Sequence, residues 1–285
     1  RVSVPDNYEI INDIIQNSSG DLIAGTTQGL LKVTKNKESY SVEILQTPIT
    51  GFNVKKIKLL NNDSILFATA RGLWLYENNE YKFIKGSDYI ALNTIVENTK
   101  NQIWVGGKLG LYQVVDNTLV SKTEKVNSTI LSMVEGIEND LWITTFKNGL
   151  LHFSLDDLLV TKVSSVNNLA DYYLENNQLK YIFKDITNTL WISNSKGVLY
   201  ANLDSKKFKS IPLDKKGHIR TIFSDNDKIY YGLQGDRFYV YSFASNSNKG
   251  INIPETGKAF RVDTLNGKIH LATTDGLYRQ KITND

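Results

Sequence analysis

Short runs of alternating apolar and polar residues recur along the chain, each interrupted by a tight turn. The stretch "ENDLWITTFKNGLLHF" (138–153) alternates like a strand, turns at Asn148-Gly149, and alternates again. "SGDLIAGTTQGLLKVT", "KNQIWVGGKLGLYQVV" and "TNTLWISNSKGVLYANL" repeat the pattern. Two alternating runs joined at an Asn-Gly-type turn predict a β-hairpin. Aligned on the apolar residue that opens the first run (Leu22, Ile65, Ile103, Leu141, Leu190, Ile229 and Ile269), seven copies fill the chain at a spacing of about 40 residues.

The aligned columns carry physical meaning. Position two holds Ile23, Leu66, Trp104, Trp142, Trp191, Tyr230 and His270, mostly large and flat. Position three (Ala24, Phe67, Val105, Ile143, Ile192, Tyr231, Leu271) is apolar too, so the strand is expected to be buried on both faces. Position four is small throughout: Gly25, Ala68, Gly106, Thr144, Ser193, Gly232 and Ala272. A small residue in every copy implies close approach by something bulky, expected to be an aromatic of the neighbouring repeat. The turn that follows ends on Gly29, Gly72, Gly110, Gly149, Gly197 and Gly276, where positive φ is expected. Copy six has Gly235 early and Arg237 near that slot, which predicts a remodelled turn.

A further short strand precedes the hairpin, read in "INDII", "LNTIV", "ILSMV", "LKYIF" and "IRTIF", and a fourth follows it, as in "YSVEIL", "EYKFIK", "FKSIPL" and "GINIPE". Four short antiparallel strands in each of seven repeats predict an all-β fold, a seven-bladed β-propeller forming one domain over residues 1–285. The seventh copy lacks a fourth strand, while "RVSVPD" at the start resembles the fourth strands "KSIPLD" and "INIPET". The N-terminal strand is therefore expected to join the last blade and close the ring, which removes exposed sheet edges.

These repeats resemble the two-component regulator propeller repeat, G-x-L-W-I-G-T-x-x-G-L with an upstream I-x-S-I-x-x-D. "ILSMVEGIENDLWITTFKNGLLHF", "LNTIVENTKNQIWVGGKLGLYQVV" and "INDIIQNSSGDLIAGTTQGLLKV" match best. The resemblance implies a sensor, the periplasmic or extracellular input region of a bacterial hybrid two-component or histidine-kinase receptor, often tied to glycan breakdown products. It also implies kinase and receptor modules elsewhere in a longer chain. Such receptors usually carry fourteen repeats, an immunoglobulin-like domain, a membrane helix and a kinase, and this sequence has seven repeats.

Composition narrows the chemistry. Hydrophobic residues make up 41% of the 285, ample for a core, yet no apolar run is long enough to span a membrane. The opening residues lack a signal peptide's apolar segment. A net charge of +3, spread along the chain, gives no basic tail for nucleic acid. Zero cysteines exclude disulfides, thiolate metal sites and cysteine nucleophiles. No metal-ligand spacing, phosphate loop or G-x-S-x-G elbow occurs, so no cofactor or metal is implied and an enzyme is not expected. Of three histidines, His270 stands in the Trp/Tyr column and reads as packing; His152 reads as a half-exposed strand residue in the slot of Tyr76. His218, in the connection entering copy six, is the one histidine placed to meet a ligand.

In a propeller the turns before each glycine strand converge on one mouth. Those turns carry Arg71, Lys108, Lys147, Lys196 and Arg237, with the acids Asp236 and Asp275. Connections on the same rim add Tyr89, His218 and, in the longest loop, Tyr172 and Tyr173. Aromatic faces beside cations suit an oligosaccharide or other anionic small ligand. The channel itself is expected to be small and polar, lined by Asp13, Thr94, Ser132, Tyr181 and Thr221. Two other readings remain open: a propeller scaffold that docks a protein in the cell envelope, and an enzyme of the seven-bladed lyase type.

Overall fold

The chain is seen in a computed structural model. The residues described are 2–36, 39–163, 179–195, 197–204, 207–212, 217–225, 228–234, 236, 238–251, 259–265, 268–274 and 276–281. They form a β-propeller. Six blades are four-stranded antiparallel sheets whose strands follow chain order from the innermost outward. Their innermost strands are Ile11–Gln16, Val54–Leu59, Leu92–Glu97, Ile130–Glu135, Ile182–Lys184 and Ile219–Asp225. The last sheet has three strands, Ala259–Leu265, Lys268–Thr273 and Gly276–Lys281.

Six four-stranded blades thus stand where seven were expected. Among the described residues, the N-terminal segment makes one antiparallel bridge to the last sheet, with Val2 N–H donating to the Leu277 carbonyl at 3.3 Å. Blade six also differs from expectation: its fourth strand is Ser247–Gly250, ahead of the "GINIPE" run, and Ile251 N–H then bonds the Phe238 carbonyl. In blade five the inner strand begins at Ile182, not Leu179. Gly235, Arg237 and Asp275, in the turns of the last two sheets, lie outside the described residues.

Apolar clusters lie between consecutive sheets. Leu66, Leu73 and Ile84 of blade two meet Leu92, Ile95 and Tyr112 of blade three, and Trp104 and Leu111 of blade three meet Ile130, Met133 and Phe153 of blade four. A further cluster joins Ile11, Leu22 and Leu31 of blade one to Ala272 and Leu277 of the last sheet. The hairpin strands read as doubly apolar, such as Ile65–Thr69, are buried at every position.

The small fourth column has a cause other than the expected aromatic. A Cβ added at Gly25 would lie 2.9 Å from Val54 Cγ1, and one at Gly106 would overlap Ile130 Cγ2. Val54 and Ile130 open the inner strand of the following blade. A β-branched aliphatic side chain of the next blade therefore occupies the space that a side chain at this column would need. The turn glycine has a different reason. Gly110 adopts φ +131°, and a Cβ there would collide with the Val126 carbonyl. Thr26, Thr69, Thr145 and Thr273 fasten the same turns by donating to the carbonyls of Gly29, Gly72, Gly149 and Gly276.

One irregularity repeats and decides where the functional side chains go. The pairing of inner strand with second strand shifts between Ile11 and Asp13, Val54 and Lys56, Ile130 and Ser132, Ile219 and Thr221, and Ala259 and Arg261. Blade three shifts at the same place, pairing Thr94 with Gly106 and Leu92 with Gly107. Each shift is a β-bulge whose extra residue (Asn12, Lys55, Asn93, Leu131, Arg220) leaves the ladder and is re-aimed.

Gly106→Val is expected to destabilise the protein by about 1–3 kcal/mol, because Ile130 cannot move without opening the blade interface. Gly217→Ala, where a Cβ would sit 3.5 Å from Leu233, is expected to be near neutral. Urea denaturation of the two variants checks the pair; equal stability would show that the small column is not set by blade-to-blade contact.

Candidate functional site

A cavity of about 720 Å³ runs down the middle of the blades, lined by their inner strands. The bulged residues Asn12, Lys55, Asn93, Leu131 and Arg220 border this space, with Lys180 just ahead of the blade-five inner strand. The next column, expected to line the channel, instead ties blades together. Asp13 is 1% exposed; it accepts from Ile57 N–H at 2.8 Å and pairs with Lys56 Nζ at 3.0 Å. Thr221 Oγ1 accepts from Val262 N–H at 3.1 Å, and Ser132 Oγ donates to the Ile182 carbonyl at 3.4 Å. Thr94, Ser132 and Tyr181 still border the cavity, but Asp13 and Thr221 do not.

The two ends of the channel differ in charge. At the end shared with the hairpin turns stand Lys55, Lys180 and Arg220, with Gln234 from the blade-six turn. Among the described residues, the carboxylates of the lining are Glu97 and Glu135, which close the inner strands at the opposite end, beside Lys58 and Lys184. There they serve as ties to the preceding blade. Glu97 accepts from Asn61 N–H at 3.0 Å, and Glu135 from Thr99 N–H at 2.7 Å. Lys184 Nζ donates to the Gly136 carbonyl at 2.8 Å.

The cationic end is electrostatically loaded. Lys55 Nζ donates to Asn93 Oδ1 at 2.9 Å, a neutral acceptor. Burial holds the Lys55 amine below its ordinary pKa, and the charge of Lys108 pushes it further down. Burial also lowers Arg220, which as a guanidinium stays charged at neutral pH. Low-dielectric walls around like charges concentrate a positive potential at this mouth.

A second cavity, about 360 Å³, adjoins it on the rim between the turns of blades three and four. Lys108, Leu109, Phe146 and Lys147 line it, with Asn127, Ser128, Thr129 and Asn148. Lys180 Nζ lies 5.8 Å from the Phe146 ring centroid, so a channel cation backs a rim aromatic.

Of the residues expected at the mouth, Lys108 and Lys147 are thus brought together. Arg71 is not with them; its guanidinium packs 5.1 Å over the Phe52 ring, and it borders neither cavity. Tyr89 is 88% exposed with a left-handed φ of 55° and stands apart from both. His218 lies beside the mouth: its carbonyl accepts from Gln234 N–H at 2.7 Å, and its buried Nδ1 meets no partner among the described residues. Lys196, Arg237, Tyr172 and Tyr173 lie outside the described residues.

The other two histidines have structural places. His270 is buried in the last sheet. His152 pairs with Trp142, the slot of Leu75 in blade two rather than of Tyr76. Its Nε2 lies 2.7 Å from Asp140 Oδ2. Burial works to raise Asp140, but the bonds from His152 and the Glu138 N–H outweigh it and hold the carboxyl below its ordinary value. Among the described residues, no group of three or more potential metal ligands is gathered, and no helix is long and apolar enough to cross a membrane.

With this geometry in hand, the comparisons are direct. No family model matches the chain, and no curated protein matches it in sequence. Solved structures do match. The extracellular domain of BT4673, assigned as a hybrid two-component system of B. thetaiotaomicron, superposes with a TM-score of 0.80 at 16% identity, over 100% of this chain and 40% of that one. The corresponding domain of BT3049, from the same organism and similarly assigned, gives 0.79 at 16% identity, over 96% and 39%. Virginiamycin B lyase from Staphylococcus aureus gives 0.74 at 12% identity, over 98% and 96%. The likeness is one of fold. The chain spans about two fifths of the length of the two sensor domains it matches.

The cations missed at the sequence level are Lys55, Lys58, Lys180, Lys184 and Arg220, with Phe146 on the rim. A signal for them existed: "VKKIKL" is the inner strand of copy two, and aligning it with "IRTIF" stacks Lys55 on Arg220.

Lys108→Gln is expected to raise the Lys55 amine toward its ordinary pKa, since one of the two causes that lower it is removed. Nitrogen-detected NMR of the lysine side chains across a pH series reads this; an unchanged Lys55 titration would mean that the Lys108 charge does not reach the mouth.

Proposed function

We propose that this chain, residues 1–285, is a single non-catalytic, ligand-sensing propeller domain that works outside the cytoplasm as the input module of a two-component receptor. In this reading the three-stranded sheet is the seventh blade, and the N-terminal segment supplies its outer strand and closes the ring. The ligand is an oligosaccharide or another anionic molecule that enters from the turn side. The observation that carries this is the convergence of Lys55, Lys180 and Arg220 in one cavity whose lining carboxylates, among the described residues, sit at the far end. The fold likeness to extracellular domains of two-component systems supports the sensing role. Cavities of this size are in the range that binds small molecules.

A protein-docking role has one observation in its favour: Tyr89, Leu109 and Phe146 expose 88, 60 and 54% of their surface on the turn side. An enzyme of the lyase type is favoured only by the likeness to virginiamycin B lyase, with His218 as the residue to test.

Titration calorimetry against anionic and neutral oligosaccharides separates these readings. The expected result is saturable binding of anionic ligands, weakening as salt rises, with no change in ligand mass after prolonged incubation. Lys55→Gln and Arg220→Gln are each expected to weaken binding by about tenfold, the loss of one charge-assisted contact. Equal binding of neutral and anionic sugars, or silent variants, would overturn the anion site; turnover lost in His218→Ala would restore the enzyme.

A further inference from the structure

The channel and the rim pocket are two cavities with a shared wall. That wall is the Lys180–Phe146 pair, whose ammonium faces the channel and whose ring lines the pocket. Cations stand on both sides of it: Lys55 and Arg220 in the channel, Lys108 and Lys147 in the pocket. Among the described residues, no carboxylate lines the pocket.

Phe146 is unusual for a turn residue, being large, apolar and 54% exposed. A cation packed on an aromatic ring leaves the rest of that ring open to a second partner, and the partly apolar face of a sugar is such a partner. Like charges brought close repel, and the Lys108 charge adds to burial in lowering the Lys55 amine. A ligand with one anionic group relieves only one side of this repulsion. A ligand with anionic groups on successive units relieves both, with its backbone lying across the ring.

We infer that the ligand is a polyanionic oligosaccharide of at least two charged units, its terminal anion in the channel, the following unit on Phe146, and a second anion between Lys108 and Lys147. This rests on the anionic-ligand reading above and adds to it a chain-length requirement and a direction. The channel subsite takes one unit, so a monomer binds there weakly; the rim pocket takes part only when the chain is longer.

The probes are galacturonate and its α-1,4-linked trimer, titrated at low salt into the wild-type protein and into Phe146→Ala, Lys108→Gln/Lys147→Gln and Lys55→Gln. Phe146, Lys108 and Lys147 lie in exposed turns, so unchanged melting temperatures are expected and would exclude loss of fold. The trimer is expected to bind more tightly than the monomer. Phe146→Ala is expected to weaken the trimer roughly three- to tenfold, in line with one aromatic contact, and leave the monomer unchanged. The double lysine variant should likewise act on the trimer alone, whereas Lys55→Gln should weaken both. If monomer and trimer bind equally, or Phe146→Ala weakens both alike, the two-subsite arrangement is overturned while the channel site stands. If neither uronate binds at any salt concentration, both readings fall together.

Discussion

An inner strand is fastened to its neighbours by side-chain bonds, as blade three shows at both of its ends, and the remaining architecture follows from that. Near the turn side it reaches forward: Asn12 donates to the Val54 carbonyl at 2.8 Å, Asn93 to the Ile130 carbonyl at 2.8 Å, and Asp13 accepts from Ile57 N–H. At the far end it reaches back, through Glu97 to Asn61, Glu135 to Thr99, and Lys184 to Gly136. Asn12, Asp13 and Asn93 thereby use backbone groups of the next inner strand that would otherwise lie unpaired along the channel. Between them, the strand-opening aliphatic of one blade fills the space left by the small fourth-column residue of the blade before. Polar ties at the rims and close packing at mid-height hold each blade in register with the next.

The same arrangement makes room for function. A bulged residue has no partner in the ladder, so its identity is not constrained by strand pairing. Around the channel the bulge column reads Asn, Lys, Asn, Leu and Arg, with Lys180 at the equivalent place in blade five. Asn12 and Asn93 of this column also make inter-blade bonds, as Asp13, Ser132 and Thr221 of the column beside it do. The protein can therefore set the charge of its channel through one column without disturbing the core. The expense is concentrated at the mouth, where burial and mutual repulsion lower Lys55 and burial lowers Arg220. Among the described residues, the carboxylates of the channel lining stand at the opposite end.

The hairpin repeat, the small column and the turn glycines were all legible in the residues, because period-two alternation and tight turns are local properties. So was the convergence of Lys108 and Lys147, since equivalent turns of neighbouring repeats must lie side by side. The channel lining was legible only in part. Strict alternation assigned it to Asp13, Thr94, Ser132, Tyr181 and Thr221; Thr94, Ser132 and Tyr181 do border the cavity, but Asp13 and Thr221 do not, and the bulge brings the preceding residue into it as well. A bulge is a mismatch between two strands, so it belongs to their pairing and leaves little trace in either one alone. Arg71 sits at the expected turn, but its guanidinium packs over Phe52, a contact that turn position alone does not reveal.

Sequence alone determined that the chain is built from one recurring four-stranded unit, because hydrophobic periodicity and glycine placement act within a few residues. It also determined that cysteine chemistry plays no part. Tertiary structure decided which side chains share a cavity, which carboxylates are spent tying blades together, and that the last sheet has three strands with Val2 bridged to Leu277. Those outcomes depend on contacts between residues some forty positions apart, where a shift of one place in register exchanges a tie for a ligand-facing cation.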